Sequence, residues 1–239
     1  MFRVGIVAAL EREVRPLVKE WSTSEQEVDG RQVRFFEKDN VVLVCGGIGA
    51  EAARRAAEAM ITIYAPTVIY SAGFAGALES TLKVGEVVQP RRVVNAGDGS
   101  SVNLAQGEGV LVSFGSVASP EQKEKLRVSF GAQAVDMEAA AVGRAAEARG
   151  AGFAVVKVIS DEFDFNFPSM ERFVDFNGQF LERRFAWFSA LRPWLWRQVV
   201  QLARNSKRAS LALCDELRKM IQATSASSDV PSVGAVNRR

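Results

Sequence analysis

Short apolar runs alternate with amphipathic or alanine-rich stretches along most of the chain. The run from Phe2 to Ala9 predicts a buried first strand, and Leu10 to Val18 turns into a helix ending near Trp21, before a polar Ser/Thr stretch. A strand pair follows at Gln32 to Glu37 and Val41 to Cys45, joined through Lys38-Asp39-Asn40. Gly46-Gly47-Ile48-Gly49 then leads into an Ala-rich helix from Ala50 to about Tyr64. Thr67 to Ser71 is a buried strand running on into Ala72-Gly73-Phe74-Ala75-Gly76-Ala77-Leu78, and Val84 to about Val94 resumes the strand pattern. The polar, Gly/Ser-rich stretch from Asn95 to Gly109 reads as a loop, and Gly109 to Phe114 as a strand. Ser119-Pro120-Glu121-Gln122 has the order of a helix start with a capping box. Strands alternating with helices argue a single α/β domain.

The pattern turns on Val135-Asp136-Met137-Glu138. Asp136 is a good N-cap, and the residues after it are strong helix formers up to about Arg149, where Gly150 supplies a stop. Phe153 to Ile159 then reads as a continuous apolar, β-branched run with no polar face, the mark of a strand buried on both sides. It ends in Ser160-Asp161, and open α/β sheets gather their ligands outside the carboxyl ends of strands. One carboxylate, Glu138, therefore opens a helix and another, Asp161, tips a strand, with no nearby base to pair either. Taken alone, the two read equally well as a helix-start carboxylate and a capping Asp.

After Asp161 the character changes. Glu162 to Phe180 carries six phenylalanines among acidic and polar residues, as a loop folding over a pocket would. A helical region from about Leu181 to Ile221, interrupted near Pro193, bears Trp187, Trp194 and Trp196 among many Arg and Lys. Packing on the sheet or on a second subunit is the favoured role for it. The less favoured role is an interfacial helix resting on a membrane or guiding a greasy substrate. Residues 223–239 lack periodicity and read as a disordered tail, leaving 1–222 as the domain.

Composition narrows the chemistry. With 48% hydrophobic and 24% charged residues the chain has the make-up of a soluble globular protein, and its 239 residues can form an ordinary core. A net charge of +2 offers no whole-molecule reason to expect nucleic acid. Cys45 and Cys214 read as small buried thiols in a reducing cytoplasm. There is no histidine, which removes Ser-His-Asp and Cys-His arrangements and any His-ligated metal. Acid–base work falls to Asp, Glu, Lys, Tyr or Cys. No metal or cofactor is expected, the first residues do not read as a signal peptide, and no apolar stretch approaches a membrane span. The glycines between Cys45 and Ala50 can offer backbone N–H groups to an anion or hydroxyl, although a tight turn is the commoner use of so short a motif.

In order along the chain, Val4 to Val14, Gly47-Ile48-Gly49, Ala72 to Gly76, Leu82 to Val88, Val135 to Ala139 and Ile159-Ser160-Asp161 resemble the purine nucleoside phosphorylase/nucleosidase superfamily. The likeness spans roughly residues 3–164 and is nearest to the 5′-methylthioadenosine/S-adenosylhomocysteine nucleosidases. The C-terminal third is similar to a bacterial branch that includes hopanoid-associated phosphorylases acting on adenosylhopane. The resemblance implies one three-layer α/β/α domain with a central mixed sheet, assembled as a homodimer or larger homo-oligomer. It implies cleavage of the N-glycosidic bond of a purine ribonucleoside, by water in nucleosidases and by phosphate in phosphorylases. By position, Asp161 is implied as the acid to purine N7, its pKa raised by desolvation well above the free value of about 4. Glu13 is implied as the base that activates water. Glu138 would accept the ribose hydroxyls, Met137 would pack on the ribose, and backbone near Val117 and Ser160 would read the purine edge. Ile48, Ala75, Gly76 and Asp136 complete the expected substrate-binding set.

Three departures from the family pattern stand out. Phe74 replaces a hydroxyl residue, the stretch from Asn95 to Gly109 is short, and only Arg12, Arg15, Arg91 and Arg92 offer themselves as phosphate ligands. Three readings follow. Hydrolysis of a 5′-modified adenosine comes first, and phosphorolysis of one with a large hydrophobic 5′ substituent such as adenosylhopane comes second. A nucleoside-binding protein without turnover comes last, since Glu13, Glu138 and Asp161 are all present.

Overall fold

The computed structural model describes residues 4–28, 30–165, 173, 178, 181, 184–185, 188 and 192–226. The first strand, β1 (Val4–Ala8), leads into α1 (Glu11–Val18). Then come β2 (Ser22–Val28), β3 (Arg31–Lys38), β4 (Val41–Cys45), α2 (Ala50–Tyr64) and the long β5 (Val68–Ala77). Short strands β6 (Val87–Val88), β7 (Arg92–Asn95), β8 (Ser101–Asn103) and β9 (Val110–Ser113) precede α3 (Pro120–Phe130). Next are β10 (Ala134–Asp136), α4 (Ala139–Ala148) and β11 (Gly152–Asp161), and finally α5 (Trp196–Ala226) after a turn of 3₁₀ helix at Pro193–Leu195.

The strands form one mixed sheet in the order β2-β3-β4-β1-β5-β10-β9-β7-β8, with β11 along the other edge of β5 and β6 beyond it. Parallel pairs join β1 to β4 and β5, and β5 to β11; β10 runs antiparallel to β5. Both faces are covered. Val4, Ile6, Ala8, Val41 and Leu43 pack with α1 and with Ala209, Leu213 and Leu217 of α5. Val7, Val42, Val44 and Ile69 point the other way, onto the alanines of α2 and α4. Period-two alternation with both sets apolar is what a central strand between two helical layers requires. The α/β fold with flanking helices is thus as expected from the sequence.

Three boundaries differ from the sequence reading. The Ser/Thr stretch after Trp21 is strand β2, an edge strand antiparallel to β3 whose residues are mostly exposed, so it carries no hydrophobic alternation. The stretch from Asn95 to Gly109 holds β8. The last helix runs to Ala226, past the expected limit at Ile221 and into the expected tail. The Phe-rich segment and the helical stretch before Pro193 fall mostly outside the described residues, as do 227–239. The α3 capping box is as expected: Ser119 Oγ accepts from Gln122 N at 3.3 Å, and Ser119 N donates to Gln122 Oε1 at 2.8 Å.

Candidate active site

Residues 73–76 of β5 form the spine of the site. Lys157 lies opposite Gly73 on β11, and Asp161 opposite Gly76, with Ser160 bulged between Ile159 and Asp161. Strand β10 descends antiparallel on the other edge, Val135 opposite Gly76, and delivers Asp136 and then Glu138. Glu13 arrives from α1. A methyl group on Gly73 would lie 2.9 Å from Glu13 Oε2 and 3.6 Å from Lys157 Nζ, and one on Gly76 would lie 2.8 Å from Asp161 Oδ2. Only glycine lets carboxylates come this close to the strand.

The first group of side chains is a buried cluster around Lys157, which is 1% exposed. Its Nζ lies 2.8 Å from Asp136 Oδ2 and 3.6 Å from Glu138 Oε2. Asp136 also accepts from Ser113 Oγ at 2.5 Å and from Ala139 N at 2.8 Å, while Ser113 Oγ accepts from Ala140 N at 2.9 Å. Asp136 thus ends β10 and ties down the start of α4; Glu138, not Asp136, occupies the N-cap position, without a side-chain cap bond. Glu138 Oε1 accepts from Gly49 N at 2.9 Å. The glycine loop therefore spends an N–H on the protein's own carboxylate, and in doing so aims Glu138. Glu13 is buried and its Oε2 has no hydrogen-bond partner among the described residues.

Burial is the main cause of the raised pKa of Glu13, which the negative charge of Glu138 pushes further, to about 8; Lys157 and Arg12 oppose it. Glu138 is also raised, first by burial and then by Asp136, against the pull of Lys157. Burial alone would lower the Lys157 ammonium, but the charges of Asp136 and Glu138 outweigh it and hold its pKa above the usual value. A lysine kept charged among carboxylates in an apolar sheet is stable only while all of them stay hydrogen-bonded.

The second group is Asp161 with Lys123. Lys123 reaches from the inner side of α3, 1% exposed, and donates to Asp161 Oδ2 at 2.6 Å and to the Glu162 carbonyl at 2.7 Å. Ser160 Oγ donates to Asp161 Oδ1 at 2.9 Å and lies 3.4 Å from the Ala75 carbonyl. The Asp161 side chain is about a quarter open to solvent.

These two groups correct three expectations. The strand from Phe153 has a polar residue in its buried middle, Lys157. Glu138 and Asp161 are not without cations: each has a lysine beside it. Asp161 is not enclosed by desolvation alone; an ammonium touches it. Sequence reasoning passed over Lys157, although a single charge inside Val155-Val156-Lys157-Val158-Ile159 was the signal that a fully buried strand needs a partner for it. It passed over Lys123 as well, which α3 presents as one ordinary lysine among several polar residues.

The remaining expected residues fall as follows. Met137 is half-buried beside Glu138, and its N–H lies 3.4 Å from Glu138 Oε2. Ile48 donates its N–H to the Gly178 carbonyl at 2.8 Å. Ala75 and Gly76 are buried in β5. Val117, 49% exposed, lies between β9 and α3. Phe74 packs on the core shared by α1 and α5. Arg15 pairs with Glu11 on the exposed side of α1, Arg92 reaches Ser101 Oγ, and Arg91 reaches the Ala105 carbonyl, so these three engage groups outside the cluster. Among the described residues no group of side chains could hold a metal ion, and no helix is long and apolar enough to cross a membrane.

The sequence pattern of the phosphorylase superfamily matches residues 3–112 and 102–191. The chain belongs to that superfamily. This makes it an enzyme of the nucleosidase or phosphorylase kind. Among its relatives is the 5′-methylthioadenosine/S-adenosylhomocysteine nucleosidase of Staphylococcus carnosus, 27% identical over 66% of this chain and 86% of the relative. The Staphylococcus aureus protein of the same name is 29% identical with the same coverage. Similar solved structures include the futalosine hydrolase of Helicobacter pylori, with a TM-score of 0.70 and 19% identity over 93% of this chain and 98% of the other. Another is a Helicobacter pylori methylthioadenosine nucleosidase mutant holding 5′-methylthioadenosine, with a TM-score of 0.70 and 18% identity over 93% and 99%. These structural likenesses show a shared fold.

Proposed function

We propose that the protein hydrolyses the N-glycosidic bond of a purine ribonucleoside with a 5′ substituent, of the methylthioadenosine or S-adenosylhomocysteine type. The observation that carries this is the charge count of the buried cluster: Glu13, Asp136 and Glu138 surround one ammonium, Lys157, and one oxygen of Glu13 is unengaged among the described residues. Such a cluster suits a neutral nucleophile. Like unit charges about 4 Å apart repel by ~4 kcal/mol at an effective dielectric of ~20, so a phosphate beside these carboxylates is disfavoured.

In this reading Glu138, aimed by Gly49, accepts the ribose hydroxyls, and Met137 lies against the sugar. Glu13 Oε2 takes a proton from water as the water oxygen closes on C1′. The C1′–N9 bond breaks with its electron pair moving into the purine, and positive charge builds on the sugar beneath Glu138 and Glu13. Asp161 supplies the hydrogen bond or proton at N7, and backbone near Ser160 and Val117 reads the base edge.

The test is product identity. Incubation with methylthioadenosine, with and without phosphate, is expected to release adenine and free methylthioribose at a rate independent of phosphate. A phosphate requirement with methylthioribose 1-phosphate as product would establish phosphorolysis instead. Tight adenine binding without release, across small and hydrophobic 5′ substituents alike, would leave a binding protein.

A further inference from the structure

Lys123 is the buried charge that this mechanism does not use. Helix α3 buries two side chains: Leu126 and this ammonium. Sinking a lysine is costly unless its hydrogen bonds are met, and an apolar residue would fill the position as well as Leu126 fills its own. What the lysine adds is contact with Asp161 Oδ2 at 2.6 Å, while Ser160 holds Oδ1. Its other acceptor, the Glu162 carbonyl, is neutral. The Glu162 carboxylate turns away to Lys83 at 3.3 Å, and Glu124 and Arg127 pair with each other on the outer side of α3. On β9 and β10, against which α3 packs, Asp136 is already bonded to Ser113 and Lys157. Asp161 is therefore the one carboxylate that meets Lys123 among the described residues.

Resting on the nucleosidase reading above, we infer that Lys123 is the positioning residue that holds the N7 proton for Asp161. The ammonium donates one of its protons along the 2.6 Å hydrogen bond from Nζ to Oδ2. As the C1′–N9 pair flows into the purine and N7 becomes basic, that one proton passes from Nζ to Asp161 Oδ2 and on to N7. The pair is left as neutral amine and carboxylate, and solvent reprotonates the amine once the purine has gone. The proton taken from water by Glu13 returns to solvent, so the cycle balances.

Arginine separates this role from simple charge placement, because a guanidinium does not give up its proton in proteins. The full chain carrying Lys123→Met or Lys123→Arg is assayed with methylthioadenosine and with para-nitrophenyl riboside, whose phenolate leaves without a proton. With the purine substrate both variants are expected to lose about 10²-fold in kcat, with KM within about threefold, in the usual range for a lost proton donor. The Lys123→Met profile should retain activity only on the acid side, where a lone carboxyl can carry the proton. With the nitrophenyl substrate both variants should remain within about threefold of wild type. Purine turnover restored by Lys123→Arg, or equal losses on both substrates, would overturn the inference. Wild-type purine release lost in Asp161→Asn but intact in both Lys123 variants would overturn it while leaving the nucleosidase reading standing. No purine release by the wild type would fell that reading first.

Discussion

Two buried lysines reach the carboxylates of the site, Lys157 from the middle of β11 and Lys123 from α3, and they differ in how many carboxylates each faces. Lys157 is enclosed by Asp136 and Glu138 with Glu13 close by, and burial, with the charge of Glu138 adding to it, pushes Glu13 up to about 8. Lys123 faces Asp161 one to one, in a pair whose carboxylate side is open enough for a ligand to reach. An ammonium outnumbered by carboxylates is pinned in its charged form and becomes scaffold. One matched to a single carboxylate leaves a proton that can move. The same residue type thus serves order in one place and chemistry in the other, by charge count alone.

The sharpest way to break that contrast is to remove the pinned cation. Lys157→Met leaves Asp136 and Glu138 buried without their ammonium, and is expected to destabilise the fold by ~3–5 kcal/mol, the usual penalty for breaking a buried pair. Chemical denaturation near neutral pH measures it; a loss below about 1 kcal/mol, the range of exposed pairs, would mean that the cluster does not depend on Lys157.

A smaller free-energy change tests the other site. Asp161→Asn is expected to lower turnover by about 10²-fold or more, while its amide oxygen can still accept from the buried Lys123 ammonium and so keeps the loss of stability below that of Lys157→Met. Steady-state kinetics beside a melting curve would reveal the reverse pattern, in which stability falls and turnover survives.

The smallest effect is a pH dependence at Glu13. Its folded pKa is raised from 4.5 to about 8, so the protonated form favours the native state. That contribution is complete below about 4.5 and is lost as pH rises through about 8. Glu13→Gln has no proton to lose, so its melting temperature should gain on wild type across that window and level off above it. Catalysis should move oppositely, since a base must be ionised: kcat/KM of the wild type should climb toward about pH 8. A melting-temperature gap that stays constant with pH would show that Glu13 is not held protonated by its surroundings.

Much of the fold could be read from local pattern. The apolar runs became β1, β4, β5 and β11, and Ser119 with Gln122 marked the start of α3 to the residue. Strand β2 escaped because it is an edge strand, held by backbone pairing to β3 with little side-chain burial on either face. The candidate carboxylates were legible as residues, Asp161 from its place at a strand end, Glu138 from its place at a helix start, and Glu13 from the family resemblance. Their partners were not. Lys157 lies nineteen residues beyond Glu138 in sequence and Lys123 thirty-eight before Asp161, separations that no local period connects.

What the chain determined by itself is the alternation of strands and helices, the absence of histidine, and hence an acid–base chemistry left to Asp, Glu, Lys, Tyr or Cys. What tertiary structure alone decided is which amine meets which carboxylate. Strand β10 runs against β5 while β11 runs with it, and that pairing brings Asp136 and Glu138 to Lys157. The docking of α3 beyond the end of β11 then reserves Asp161 for Lys123. Charges a few ångströms apart in a dry interior set one another's protonation, whereas the sequence records their identities and not their distances.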